Sequence, residues 1–194
     1  PRPINAWLRG DHKGSDFYQL SEMLAGLPAV LFLFLTGISL VIVLERCGRR
    51  GESPWKVVLR RSGYILVIAV LFRLQQWASY WRDSPVAGIL KVDILNTIAV
   101  GLGVAGVAIL LVPTRLRPAG AAVGAVAAAM LTPLAWSIPA GAEPWFLLAY
   151  LRGGAQIASF PLFPWVSYTF TGVLVGLLIV GQKDRTEVDR TMQW

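Results

Sequence analysis

The sequence predicts an all-α integral membrane protein, a helical bundle of about five transmembrane helices with the N-terminus outside and the C-terminus cytoplasmic. Three observations carry this. The stretch Leu27 to Leu44, LPAVLFLFLTGISLVIVL, holds no charged side chain, and a bilayer core of roughly 30 Å needs about 20 mostly apolar residues in a helix. Only 15% of the 194 residues are charged and 55% are hydrophobic, where a soluble domain carries about a quarter charged; mean hydropathy is +0.58. The cations sit between apolar runs, as topology signals do. A formal charge of +7 therefore does not indicate a nucleic-acid partner.

Taken in order, residues 1–26 alternate polar and aromatic side chains and form an outer-face interfacial segment. The first span enters at Pro28, a residue suited to a helix's first turn, and ends at the Glu45, Arg46, Arg49, Arg50 cluster. A short basic loop, Arg46 to Arg61, follows. The second span covers Ser62 to about Trp77, and Tyr80, Trp81 and Arg82 continue an interfacial belt. The third, about Ile89 to Val112, has Lys91, Asp93 and Asn96 in its first turns. Pro113 and Pro118 bracket a tight turn with Arg115 and Arg117. The fourth, Ala119 to Ile138, is rich in Ala and Gly, contains the step Gly120 to Gly124, and is kinked by Pro133. Gly141 to Phe160 reads as an irregular amphipathic segment. The fifth span, Pro161 to Gly181, contains a second GxxxG step, Gly172 to Gly176, suited to close helix contact. From Gln182 the tail is a solvated mixture of charges.

Residues 27–181 thus form the transmembrane domain and 182–194 a cytoplasmic tail. Placing the Arg46 to Arg61 loop inside also places Arg115, Arg117 and the tail inside, so alternate loops agree with one orientation. A chain that starts in the cytoplasm then needs one more helix before Pro1, and an incomplete or processed N-terminus is expected. The location implied is the bacterial cytoplasmic (inner) membrane, multi-pass, with the lipid bilayer as partner and a homo-oligomer or larger membrane complex left open.

One cysteine, Cys47, excludes an internal disulfide, and one histidine, His12, excludes a multi-histidine metal site, so no metal is expected. Cys47 reads as an inert surface thiol. Ionisable residues in or beside spans are the functional candidates. Asp93 and Asn96 share a face at the outer end of the third span, and Arg73, at the outer end of the second, can pair with Asp93 or bind an anion. Arg60 and Arg61 open the second span on the cytoplasmic side and can meet phosphates. His12, flanked by Asp11 and Asp16, has the composition of a nucleophile or base with orienting carboxylates. Walker, GxGxxG, GxSxG and HExxH motifs are absent. Gly101, Gly103 and Gly106 fit close helix packing.

Four segments, FLFLTGISLVIVLER (from Phe32), LRRSGYIL (from Leu59), KVDILNTIAVGL (from Lys91) and FPLFPWVSYTFTGVLVG (from Phe160), resemble in order the bacterial membrane proteins related to heparan-alpha-glucosaminide N-acetyltransferase. The resemblance implies an acyltransferase that moves an acetyl group from cytoplasmic acyl-coenzyme A to an extracytoplasmic sugar. Acyl-CoA (acetyl-CoA) is then a co-substrate, and no other cofactor is implied. On this resemblance His12 is the catalytic histidine with Asp11 or Asp16 orienting it, Asp93, Asn96 and Arg73 hold the acceptor, and Arg60 and Arg61 meet the coenzyme A phosphates. The family's histidine is commonly followed by a Trp-Asn-Gly-like segment, where this chain has Lys13, Gly14 and Ser15. The alternative reading is a non-catalytic transmembrane subunit packed against a larger complex, for which the GxxxG steps would serve as contacts.

Overall fold

The computed structural model describes residues 16–79, 89, 91–139, 145–151 and 158–191. The chain runs as α1 (Asp16–Arg50), α2 (Pro54–Ser79), α3 (Ile94–Leu111), one 3-10 turn (Thr114–Leu116), α4 (Arg117–Met130), α5 (Thr132–Trp136), α6 (Trp145–Leu151) and α7 (Leu162–Thr191). Apart from one parallel bridge between Val92 and Ala158, the described residues are helices and their connections. Four segments are long and apolar enough to cross a membrane: Gly26–Arg50, Ile94–Leu111, Thr114–Trp136 and Leu162–Gln182. The all-α membrane bundle expected from the sequence is the fold observed. The expected second span, α2, is a full-length helix, but its uncharged stretch between Arg61 and Arg73 is about half what a bilayer core requires.

Several boundaries differ from the sequence reading, each for a local reason. α1 starts ahead of Pro28, which lies inside the helix rather than in its first turn. The expected basic loop is almost wholly helical, because Arg, Lys and Glu are good helix formers, and only Gly51, Glu52 and Ser53 turn. There the Glu52 N–H donates to Cys47 O (3.2 Å) and the Gly51 N–H to Gly48 O (3.3 Å). This is the two-bond Schellman stop, and it needs a residue at positive φ, which Gly51 supplies at 66°. The Ser53 carbonyl then accepts from Val57 N and Pro54 takes the first helical position, where its missing N–H costs nothing. Cys47, expected at the surface, is 3% exposed, and its thiol donates to Glu52 O at 3.0 Å.

α3 begins later than expected. Asp93 is its N-cap, extended at φ −116° and ψ 176°, with the carboxylate accepting from Ile94 N, so Lys91 and Asp93 precede the helix. The fourth span breaks at Leu131, between α4 and α5, two residues before Pro133. The tail expected from Gln182 is helical, since α7 runs on to Thr191.

Lipid gives no hydrophobic drive for helices to associate, so contact depends on close van der Waals fit. The seam between α1 and α7 shows this. A Cβ on Gly37 would collide with the Thr169 carbonyl oxygen, and one on Gly172 with the Phe34 carbonyl oxygen. Gly176 sits against Val41 and Ile38 one turn further. Gly124 admits the Phe170 ring, where a Cβ would lie 2.7 Å away, which joins α4 to α7. On α3, Gly106 takes Val58 of α2, and Gly103 lies beneath Ser62, whose hydroxyl donates to Ala99 O at 2.7 Å. Both GxxxG steps and the α3 glycines thus serve packing. Leu40, Val58, Leu102, Ile109, Val166 and Phe170 fill the core between them, while Tyr64, Val67 and Leu71 of α2 and Leu31 and Leu35 of α1 point outward.

Candidate functional site

The two ends of α3 carry opposite chemistry. Its 18 residues rise 1.5 Å each and separate those ends by about 27 Å.

At the N-terminal end, Arg73 of α2 reaches Asp93, Nη2 to Oδ2 at 3.0 Å, with the side chains 12% and 26% exposed. The other Asp93 oxygen is spent on the α3 cap at 2.8 Å. A second Arg73 nitrogen, Nη1, donates to Gln76 Oε1 at 2.9 Å. Asn96, three residues into α3, is 5% exposed and hydrogen-bonds Tyr150 of α6. Burial raises the Tyr150 phenol above its ordinary value, and the Asn96 bond opposes that rise. α6 is seated there by Ala149, which packs with Val92 and Ala158, and the strand-like pairing is tied by Ser159 N to Val92 O at 3.0 Å. The Thr97 hydroxyl donates to the Phe160 carbonyl.

Among the described residues this end is incompletely paired. Arg73 Nε, Trp77 Nε1 and Asn96 Oδ1 are buried without a hydrogen-bond partner among the described residues. Trp77 lies one turn beyond Arg73 on the same face of α2. Leaving such a group unmade costs about 1–3 kcal/mol, so the cluster holds two unspent donors and one unspent acceptor, a complement for a ligand rich in hydroxyls.

At the other end, α1, α3, the 3-10 turn and α7 enclose a cavity of about 610 Å³. Its lining joins apolar Leu44, Ile109, Leu110 and Leu177 to polar Glu45, Arg115 and Arg117. Arg117 Nε is buried without a partner among the described residues. On the opposite flank of α1 a second cavity of about 320 Å³ is lined by Arg46, Arg50, Glu52, Arg60 and Arg61. Both cationic connections and the end of the membrane-crossing part of α7 therefore lie on one face of the bundle.

Of the residues expected from the sequence, Arg73, Asp93 and Asn96 come together, and the Arg73 to Asp93 pair forms. Arg60 and Arg61 share a cavity at the far end. Asp16 is the first residue of α1; His12 and Asp11 lie outside the described residues. Tyr150, Arg115 and Arg117 were not anticipated as site residues. Tyr150 offered only one signal, a polar aromatic in an amphipathic stretch, and nothing local to it points to Asn96.

Fold and ends together define a membrane-embedded helical bundle with a basic vestibule on one face and a polar cluster on the other. The family model for the heparan-alpha-glucosaminide N-acetyltransferase catalytic domain matches residues 12–194, and the chain belongs to that family. No curated protein and no solved structure matches the chain.

Proposed function

We propose that this protein is an acyltransferase of the bacterial cytoplasmic membrane that takes an acetyl group from acetyl-coenzyme A at its basic face and delivers it to a sugar at the other. The observation that supports this most is the polarity of α3, with a vestibule of cationic and apolar lining at one end and unspent hydrogen-bonding groups at the other. In this reading the basic face is cytoplasmic, which agrees with the rule that cationic connections stay inside, and the N-terminal segment faces outward.

The donor's phosphates meet the arginines of the basic face. The resemblance gives this role to Arg60 and Arg61; in this reading Arg115 and Arg117 of the vestibule take it instead, because Leu44, Ile109, Leu110 and Leu177 line the same cavity and suit the acyl-bearing arm. At the outer end Arg73, Asp93 and Asn96 hold the acceptor, with Arg73 and Trp77 donating to its oxygens and Asn96 accepting from a hydroxyl. His12 acts there as base or acyl acceptor, with Asp11 or Asp16 orienting it. As acyl acceptor, its imidazole nitrogen attacks the thioester carbonyl and coenzyme A leaves as the thiol. The acceptor's amine or hydroxyl then takes the acetyl group from the imidazole and gives up one proton.

The test is acetyl transfer from radiolabelled acetyl-coenzyme A in membranes containing the full chain. Label should pass to sugar with the wild type and be lost with His12→Ala. Absence of transfer by a well-folded wild type would refute the catalytic reading and favour a non-catalytic subunit of a larger complex.

A further inference from the structure

The cleft between α1 and α2 has chemistry that acyl transfer leaves unused. α1 packs chiefly on α7 and α2 on α3, so the two touch each other far less than either touches its own neighbour. Along α1, Leu31, Leu35 and Ile42 are exposed. Their spacing puts them on one helical face, and the same face reaches Arg46 one turn after Ile42. At the foot of this apolar strip lies the cavity of about 320 Å³ in which Arg46, Arg50, Arg60 and Arg61 face a single carboxylate, Glu52. Arg61 Nη1 is buried there without a partner among the described residues.

Four guanidiniums around so small a space repel one another unless an anion joins them, and each presents a planar fork of N–H groups matched to phosphate oxygens. The strip lies in a membrane-crossing helix and is covered by bilayer chains, so a soluble anion would meet the arginines alone. A phospholipid satisfies both. We propose that the α1–α2 cleft binds an anionic phospholipid, its phosphate held among Arg46, Arg50, Arg60 and Arg61 and its acyl chains lying along Leu31, Leu35 and Ile42. This assigns the flank cavity to lipid and leaves the vestibule lined by Arg115 and Arg117 to the acyl donor.

Delipidated full-length chain in detergent, titrated with dioctanoyl phosphatidylglycerol and followed by native mass spectrometry, tests the assignment. Saturable binding is expected, at least about tenfold tighter than for dioctanoyl phosphatidylcholine. The double change Arg46→Gln with Arg61→Gln should weaken it roughly 30-fold, taking each juxtamembrane arginine at its usual worth. Arg115→Gln with Arg117→Gln should leave it unchanged. A melting curve without lipid checks that each variant is folded, and Arg50→Gln, an exposed position, gives a roughly fivefold loss on the same scale if the double variant does not fold. Equal binding by wild type and folded variants would overturn the proposal. So would displacement of the lipid by coenzyme A or inorganic phosphate at matching concentration, which would make the arginines a reader of soluble phosphate.

Discussion

α1 has two different neighbours, and the contrast between them separates scaffold from site. Against α7 it approaches until backbone meets backbone at Gly37 and Gly172, and the residues that meet there are uncharged. Against α2 it leaves an open cleft that ends in arginines. The first contact is set by the absence of side chains and the second by their charge. Helix association in lipid rests on fit, so the seam can hold the bundle while the cleft and the α3 ends stay free for ligands.

The largest expected effect comes from breaking the seam. Gly172→Val should prevent the bundle from closing, because its Cβ would enter the Phe34 carbonyl; overpacking of this kind costs about 1–3 kcal/mol or more, and here the obstacle is backbone. Gly48→Ala, with nothing within 4 Å, should be neutral or gain up to about 1 kcal/mol from helix propensity. Thermal unfolding in detergent measures both, and similar melting points for the two would mean that the seam is not the organising contact.

Next in size is the α3 N-terminus. Asp93→Ala removes both the partner of Arg73 and the helix cap. Asp93→Asn keeps a good cap and loses only the charge. The expected order of stability is wild type, then Asn, then Ala, with the last step about 1 kcal/mol. Asp93→Ala combined with Arg73→Leu should recover part of the loss, since a largely buried guanidinium that has lost its carboxylate is then gone. Equal melting points for the Asn and Ala variants would show that the cap contributes nothing.

A smaller effect is the pH response of Tyr150. Its folded pKa lies above the ordinary 10.0, so the neutral phenol is favoured by folding. The associated stability is complete below about pH 10 and declines as pH rises from there through the folded value. Absorbance titration of wild type against Tyr150→Phe isolates this group. Asn96→Leu removes the bond that lowers the value and should push the ionisation higher still; a downward move would show that the amide does not act on the phenol. The smallest change is expected at Thr169, fully buried with a hydroxyl that has no partner among the described residues. Thr169→Val should leave the melting point within about 1 kcal/mol of wild type or raise it, since an unspent polar group is removed.

Much of the architecture can be read directly from residue order. The charge-free run after Leu27, the cations between apolar stretches and the two GxxxG steps fix an all-α membrane bundle with close helix seams, because lipid admits only chains whose backbone is internally bonded. The spacing of Asp93 and Asn96 puts them on one face, and the Arg73 to Asp93 pair follows from opposite charges at the same depth. Boundaries were less legible. α1 passes through Pro28, and the presumed basic loop is two helices joined at Gly51, because propensity and a Schellman stop act over single turns that composition averages out.

Tertiary structure alone decided which helices share a seam. It paired Gly172 with Phe34 and Gly124 with Phe170, contacts between residues far apart in the chain whose choice depends on the shape of both surfaces. It brought Tyr150 to Asn96, split the arginines of one face between two cavities, and buried Cys47 beneath Glu52. Such facts need three-dimensional proximity, which a linear pattern of charge and hydropathy does not encode.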